Sequence, residues 1–172
     1  MSQKIAVYPG SFDPVTNGHL DILSRALRIF DRIIVAVTTS GHKHPLFTVE
    51  ERIEMLQRAI KPLKGASVEP FEGLLVNYAK RKNAVAMIRG LRVVSDFEYE
   101  FQMALMNRHL SKKYHGPGSL EAVYLMPDEK FTYLSSTLVK EVARLGGGVE
   151  SFVPDFVRLK LKSKFEPARR NA

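Results

Sequence analysis

One histidine, one lysine, two arginines and a set of hydroxyls are the groups in this chain that could do chemistry. His19 ends the stretch YPGSFDPVTNGH (8–19), Lys43 lies in SGHKHP, and Arg89 and Arg92 flank Gly90 and Leu91 in IRGLR (88–92). Ser11, Ser135, Ser136 and Thr137 supply the hydroxyls. All of these can donate hydrogen bonds. No carboxylate pair, nucleophile elbow or HExxH pair stands with them. The absence of cysteine excludes a catalytic thiol, a thiolate zinc site and a disulfide frame. A donor-rich set suits phosphoryl or nucleotidyl transfer, in which stabilising negative charge is most of the work. There is no Walker loop and no GxGxxG after the first apolar run, so an ordinary ATPase or dinucleotide enzyme does not fit.

The elements that would position these groups follow from hydrophobic periodicity. KIAVY (4–8), RIIVAV (32–37), ASVEPF (66–71), AVAMI (84–88) and EAVYLM (121–126) read as strands, several so continuously apolar that both faces must be buried. Between them, Leu20, Leu23, Leu27 and Phe30 recur at helical spacing, as do Val49, Ile53, Leu56 and Ile60, and Phe97, Phe101, Ala104 and Leu105. TVEE (48–51) and SDFE (95–98) carry capping-box starts, and SSTLVKEVARLGGG (135–148) runs from hydroxyl caps to terminating glycines. Alternating strands and helices predict an α/β fold, a doubly wound parallel five-stranded sheet, for which the order 3-2-1-4-5 is expected. Ligands bind such sheets outside the carboxyl ends of the strands, where the strand order switches. The loops after strands one and four then face each other, with the start of the 135–148 helix beside them. SKKYHGPGS (111–119) reads as a polar surface loop inserted away from catalysis, and a last helix is expected over about 154–164, followed by a basic tail, 165–172.

A chain of 172 residues with 45% hydrophobic and 26% charged content reads as one soluble domain, 1–172. No stretch resembles a signal peptide or reaches membrane-spanning length, which predicts a cytoplasmic protein with no membrane partner. The formal charge of +8 and pI near 9.8 favour anionic partners, although much of the excess lies from Arg158 onward. A nucleic-acid-binding module would need stacking aromatics interleaved with basic residues outside the crevice, and the sequence lacks these and any recognised nucleic-acid motif, so no nucleic-acid partner is expected.

The blocks YPGSFDPVTNGH, IRGLRVVSDFEYEFQMALMNRHL and YLSSTLVKEVA resemble those of bacterial phosphopantetheine adenylyltransferases, members of the nucleotidyltransferase superfamily with the (H/T)xGH signature. The likeness runs from about residue 4 to 157. TxNGH marks the superfamily, and the RGLR–DFEYE block separates this family from relatives such as nicotinamide mononucleotide adenylyltransferases. The resemblance implies transfer of the adenylyl group of ATP to 4′-phosphopantetheine, giving dephospho-coenzyme A and pyrophosphate, with Mg²⁺ held mainly by phosphates and no metal ligand from the protein.

Residue by residue, the resemblance makes His19 the transition-state donor. It assigns ATP to Ser11, Phe12, His19, Gly90, Leu91, Arg92, Glu100, Phe131, Thr132, Tyr133, Leu134, Ser135, Ser136 and Thr137. It assigns phosphopantetheine to Ser11, Lys43, Leu75 and Arg89, although Leu75 is equally a core position. The family often has Thr where Ser11 stands and more commonly ISSS where this chain has LSST, with the hydroxyls kept. The nucleophile would be a phosphate monoester with a second pKa of about 6, already ionised at neutral pH, so no general base is needed. A helix N-terminal dipole is expected to lower the pKa of His19 while bound polyphosphate raises it, which leaves its protonation open at this stage. FEYEFQMALMNRHL, with apolar residues on more than one face, reads as core or subunit interface, and the family forms homohexamers.

Overall fold

The computed structural model describes residues 3–39, 45–92, 94–115 and 120–169. Five strands, β1 (Ile5–Gly10), β2 (Arg32–Thr38), β3 (Ala66–Phe71), β4 (Ala86–Gly90) and β5 (Glu121–Leu125), form one parallel sheet of order β3-β2-β1-β4-β5. This is the predicted order. Side chains alternate cleanly along the central strands. Ala6, Tyr8, Ile33, Val35, Val37, Ala86 and Ile88 enter one core with α1 (Asn17–Ala26), α2 (Val49–Ile60), α5 (Ser136–Leu145) and α6 (Asp155–Arg169). Val7, Ile34, Ala36 and Met87 enter the other, against α3 (Leu75–Arg81) and α4 (Val94–His115). Burial on both faces explains the continuous apolar runs.

Helix starts follow their sequence signals. Thr48 caps α2 in a capping box with Glu51, and Ser135 caps α5, which ends on Gly146 at φ +92°. Several boundaries and one element differ from the sequence reading. The fourth strand runs over 86–90 rather than 84–88, because Asn83 at φ +52° and a bond from Ala84 N–H to the Ala79 carbonyl keep the chain turning. The shift puts Arg89 inside the strand. Helix α3 was not predicted: it has seven residues, and its N-cap Leu74 offers no side-chain bond. Residues 111–115 belong to α4 rather than to a loop, and Ser111 is buried, its hydroxyl accepting from Leu120 N–H at 3.1 Å. The rest of that expected loop, 116–119, lies outside the described residues. The last helix continues to Arg169, so 165–169 are helical and only 170–172 of the expected tail fall outside the described residues. The α4 start comes at Val94, and the Ser95 cap predicted there lies outside the described side chains.

Candidate active site

The loop between β1 and α1 is built around a ring that folds back beneath it. Phe12 takes φ +49°, rare for a side chain of its size, and is buried. Its ring meets Tyr8 edge-on at 5.4 Å and His19 at 5.1 Å. Gly10 permits this, since a Cβ there would lie 3.0 Å from the Phe12 ring. The next residue pins the loop from outside. Asp13 is buried and accepts from Leu46 N–H at 3.0 Å, from Phe47 N–H at 2.9 Å and from Lys140 Nζ at 2.6 Å. Burial alone would raise the pKa of Asp13, but Lys140 and the two amides outweigh it and hold the carboxyl below its usual range. Ser136 Oγ donates to the Pro14 carbonyl at 2.8 Å, tying the start of α5 to the same loop.

His19 stands at the third position of α1 and completes a capping box with Thr16. The Thr16 N–H donates to His19 Nδ1 at 3.0 Å, and His19 N–H donates to Thr16 Oγ1 at 3.4 Å. Since Nδ1 accepts, the ring proton of the neutral form sits on Nε2, the only ring nitrogen left to donate. Desolvation by burial, with the nearby positive charge of Arg92, lowers the pKa of His19 to about 4. The sequence reading named the helix dipole as the cause; in the structure burial leads and Arg92 adds to it. His19 is therefore a neutral donor at physiological pH. Long-range proton–nitrogen spectra of the free protein should show the Nε2–H tautomer unchanged from pH 8 to about pH 5. The unfolded side chain titrates near 6.5, above the folded one, so the unfolded chain takes up the proton first. This contribution to stability is constant above about pH 6.5 and declines as the pH falls towards 4. A His19 signal titrating near pH 6.5 would contradict the geometry.

The opposite wall comes from β4 and α4. Arg89 turns its guanidinium onto Glu100, with Nε donating to Oε2 at 2.8 Å and Nη2 to Oε1, while Nη1 donates to the Pro9 carbonyl at 3.2 Å. Burial works against the Arg89 charge, and Glu100 more than offsets it. Sequence reasoning placed both residues at the ligand but did not foresee that they pair. Arg92 donates from Nη1 to the Leu134 carbonyl at 3.1 Å, bracing the entry to α5.

These residues surround a crevice of about 620 Å³. It gathers Ser11, Phe12, His19, Arg89, Gly90, Arg92, Glu100, Phe131, Leu134, Ser135, Ser136 and Thr137. Leu91, Thr132 and Tyr133 are not on its lining; Leu91 is buried, and Tyr133 is 82% exposed. Lys43 lies outside the described residues. Thr16, Gly18, Tyr99 and Pro127 also line the crevice and were not singled out from the sequence. Thr16 and Gly18 could have been found from their place in the TxNGH helix start. Leu75 lines a second, more apolar cleft of about 230 Å³ with Phe71, Met103 and the buried carboxamide of Asn107. The two cavities share Pro9, Gly10, Ser11, Arg89, Tyr99 and Glu100, so the ion pair marks the boundary between them.

A parallel 3-2-1-4-5 sheet with a phosphate-friendly crevice at its switch point has the architecture of a nucleotidyltransferase. Residues 7–142 match the cytidylyltransferase-like family. The chain is 53% identical over 164 residues to the phosphopantetheine adenylyltransferase of Thermodesulfovibrio yellowstonii, covering 95% of this chain and 98% of that one. It is 51% identical over 169 residues to that of Geobacter metallireducens, covering 98% and 100%. The chain belongs to the phosphopantetheine adenylyltransferase family. In fold it is similar to a Vibrio parahaemolyticus crystal structure carrying the provisional description nicotinate-nucleotide adenylyltransferase, with TM-score 0.68 and 14% identity, covering 94% and 99% of the two chains.

Proposed function

We propose that this protein transfers the adenylyl group of ATP to 4′-phosphopantetheine, forming dephospho-coenzyme A and releasing pyrophosphate. The observation that carries this reading is the near-full-length identity of about half to phosphopantetheine adenylyltransferases, in a chain whose crevice holds a neutral His19 beside Arg92 and the start of α5. The polar crevice takes the nucleotide and the phosphates. The smaller cleft suits an arm that is largely apolar but carries amides, for which Asn107 is the buried polar partner. Arg89, on the boundary, is placed for the phosphate at the head of that arm.

The acceptor phosphate attacks the α-phosphorus, its new P–O bond forming as the bond to the pyrophosphate oxygen breaks. The phosphate is already ionised, so the protein needs no base. His19 Nε2–H donates to the oxygens on which charge builds, and Arg92 and the hydroxyls of Ser135 to Thr137 receive the leaving pyrophosphate. Among the described residues no group of three or more His, Cys, Asp or Glu side chains could hold a metal ion. Mg²⁺ in this reading enters with ATP as part of the substrate, with phosphate oxygens as its ligands. The test is to mix protein, ATP, Mg²⁺ and 4′-phosphopantetheine and follow both products by mass. Dephospho-coenzyme A and pyrophosphate should appear together, and turnover of nicotinamide mononucleotide instead would overturn the assignment.

The proposal extends to a cytoplasmic homohexamer that binds no nucleic acid. Among the described residues no helix is long and apolar enough to cross a membrane. Helix α4 leaves Phe97, Phe101, Leu105 and Met106 about half exposed, an apolar face of the kind that marks a contact between proteins. Light scattering at micromolar concentration should give the mass of six chains, and a monomer mass would refute the assembly.

A further inference from the structure

Arg52, on α2, is 4% exposed, yet among the described residues its hydrogen bonds go to backbone carbonyls alone. Nη1 donates to the Ser11 carbonyl at 2.8 Å and to the Thr38 carbonyl at 3.2 Å, and Nε donates to the Thr48 carbonyl at 3.3 Å. Neither carboxylate beside it in sequence bonds to it: Glu51 caps Thr48 and pairs with Lys164, and the exposed Glu50 feels the Arg52 charge only from a distance. A buried guanidinium without a bonded carboxylate is costly, and what it supplies here is a set of donors to three carbonyls that an apolar side chain would leave without them. The three carbonyls belong to the β1–α1 loop, the carboxyl end of β2 and the start of α2, segments that meet behind the crevice.

We propose that Arg52 is a positioning residue of the transfer reaction, one that fixes the Ser11–Phe12 turn from behind and lends the anion-binding crevice a positive charge that is held by no bonded carboxylate. Ser11 lines both cavities, and Phe12 must be held at its left-handed φ for its ring to rest on His19. Arg52 touches neither the crevice nor His19. It acts through the Ser11 carbonyl, and the polyphosphate brings the anionic charge that no bonded carboxylate supplies. The inference rests on the reading of the crevice as a polyphosphate site, so pyrophosphate binding is measured separately from turnover.

The test uses the full chain with Arg52→Met and Arg52→Lys. Pyrophosphate affinity is measured by calorimetry, kcat by product mass, and the His19 ring nitrogens by NMR. Arg52→Met should weaken pyrophosphate binding by about tenfold or more and shift the His19 ring signals. Arg52→Lys keeps the charge but cannot reach three carbonyls from a planar fork, so its pyrophosphate affinity should stay within about threefold while kcat still falls about tenfold. A folded Arg52→Met variant with lower melting temperature but unchanged pyrophosphate affinity and His19 signals would reduce Arg52 to a structural residue. If Arg52→Met does not fold, Arg52→Lys decides alone: unchanged kcat overturns the proposal. Loss of turnover in the unsubstituted protein, with pyrophosphate still bound and still sensitive to Arg52→Met, would instead fault the assigned reaction.

Discussion

His19→Ala lowers kcat by at least about 100-fold, while the affinity for ATP changes far less. The argument is that Nε2–H is fixed in direction before substrate arrives. Thr16 occupies Nδ1, the Phe12 ring packs on the imidazole, and burial with Arg92 keeps the ring neutral. A donor held this way costs no reorganisation when charge builds on the α-phosphate, and removing one typically costs about 2.7–4 kcal/mol of transition-state stabilisation. Ground-state ATP is held by many other contacts, so calorimetric affinity should move little. Circular dichroism should show the fold intact, because His19 faces the crevice. A well-folded variant with near-normal kcat would remove His19 from the chemistry and leave the loop a binding role.

Asp13→Ala destabilises the protein by about 3 kcal/mol or more, which urea unfolding would read as a lower midpoint at unchanged slope. The variant leaves the Leu46 and Phe47 amides without their acceptor and the Lys140 ammonium without its partner. Because the native carboxyl titrates below its unfolded value of 3.8, the stabilisation is fully present above that pH and is lost as the pH falls through the native value. Asp13→Asn keeps an acceptor but not the charge, and should fall between the two. A change under about 1 kcal/mol would mean that the loop is held chiefly by Ser136 and the Phe12 ring.

The sheet was legible because its central strands are buried on both faces, which leaves runs such as IAVY and IIVAV that no amphipathic helix would show. The parallel, doubly wound sheet followed from regular strand–helix alternation and the handedness of crossovers, which permit the order 3-2-1-4-5 but do not single it out. Helix α3 was hidden because two turns beginning at Leu74 carry no capping residue. The extension of α4 through Ser111 was hidden because SKKYH has no apolar period; its glycine and proline stop signals come only afterwards. In the crevice, the residue types were readable and their pairings were not. Arg89 was visible as a cation, but its bond to Glu100 depends on the two-residue shift of β4. Asp13 gave no signal at all, because its partners Leu46, Phe47 and Lys140 are 33, 34 and 127 positions away.

Helix α4 lends Tyr99 and Glu100 to the crevice wall while Phe97 and Phe101 stand half exposed beside them, their rings stacked at 5.8 Å. Wall and outer face are thus one rigid rod, and whatever rests on the outside sets the tilt of the inside. In the homohexamer proposed above, dilution therefore becomes a kinetic variable: parting of neighbouring chains should free α4 to shift Glu100 on Arg89, and specific activity per chain is expected to drop with falling protein concentration although no catalytic atom is altered.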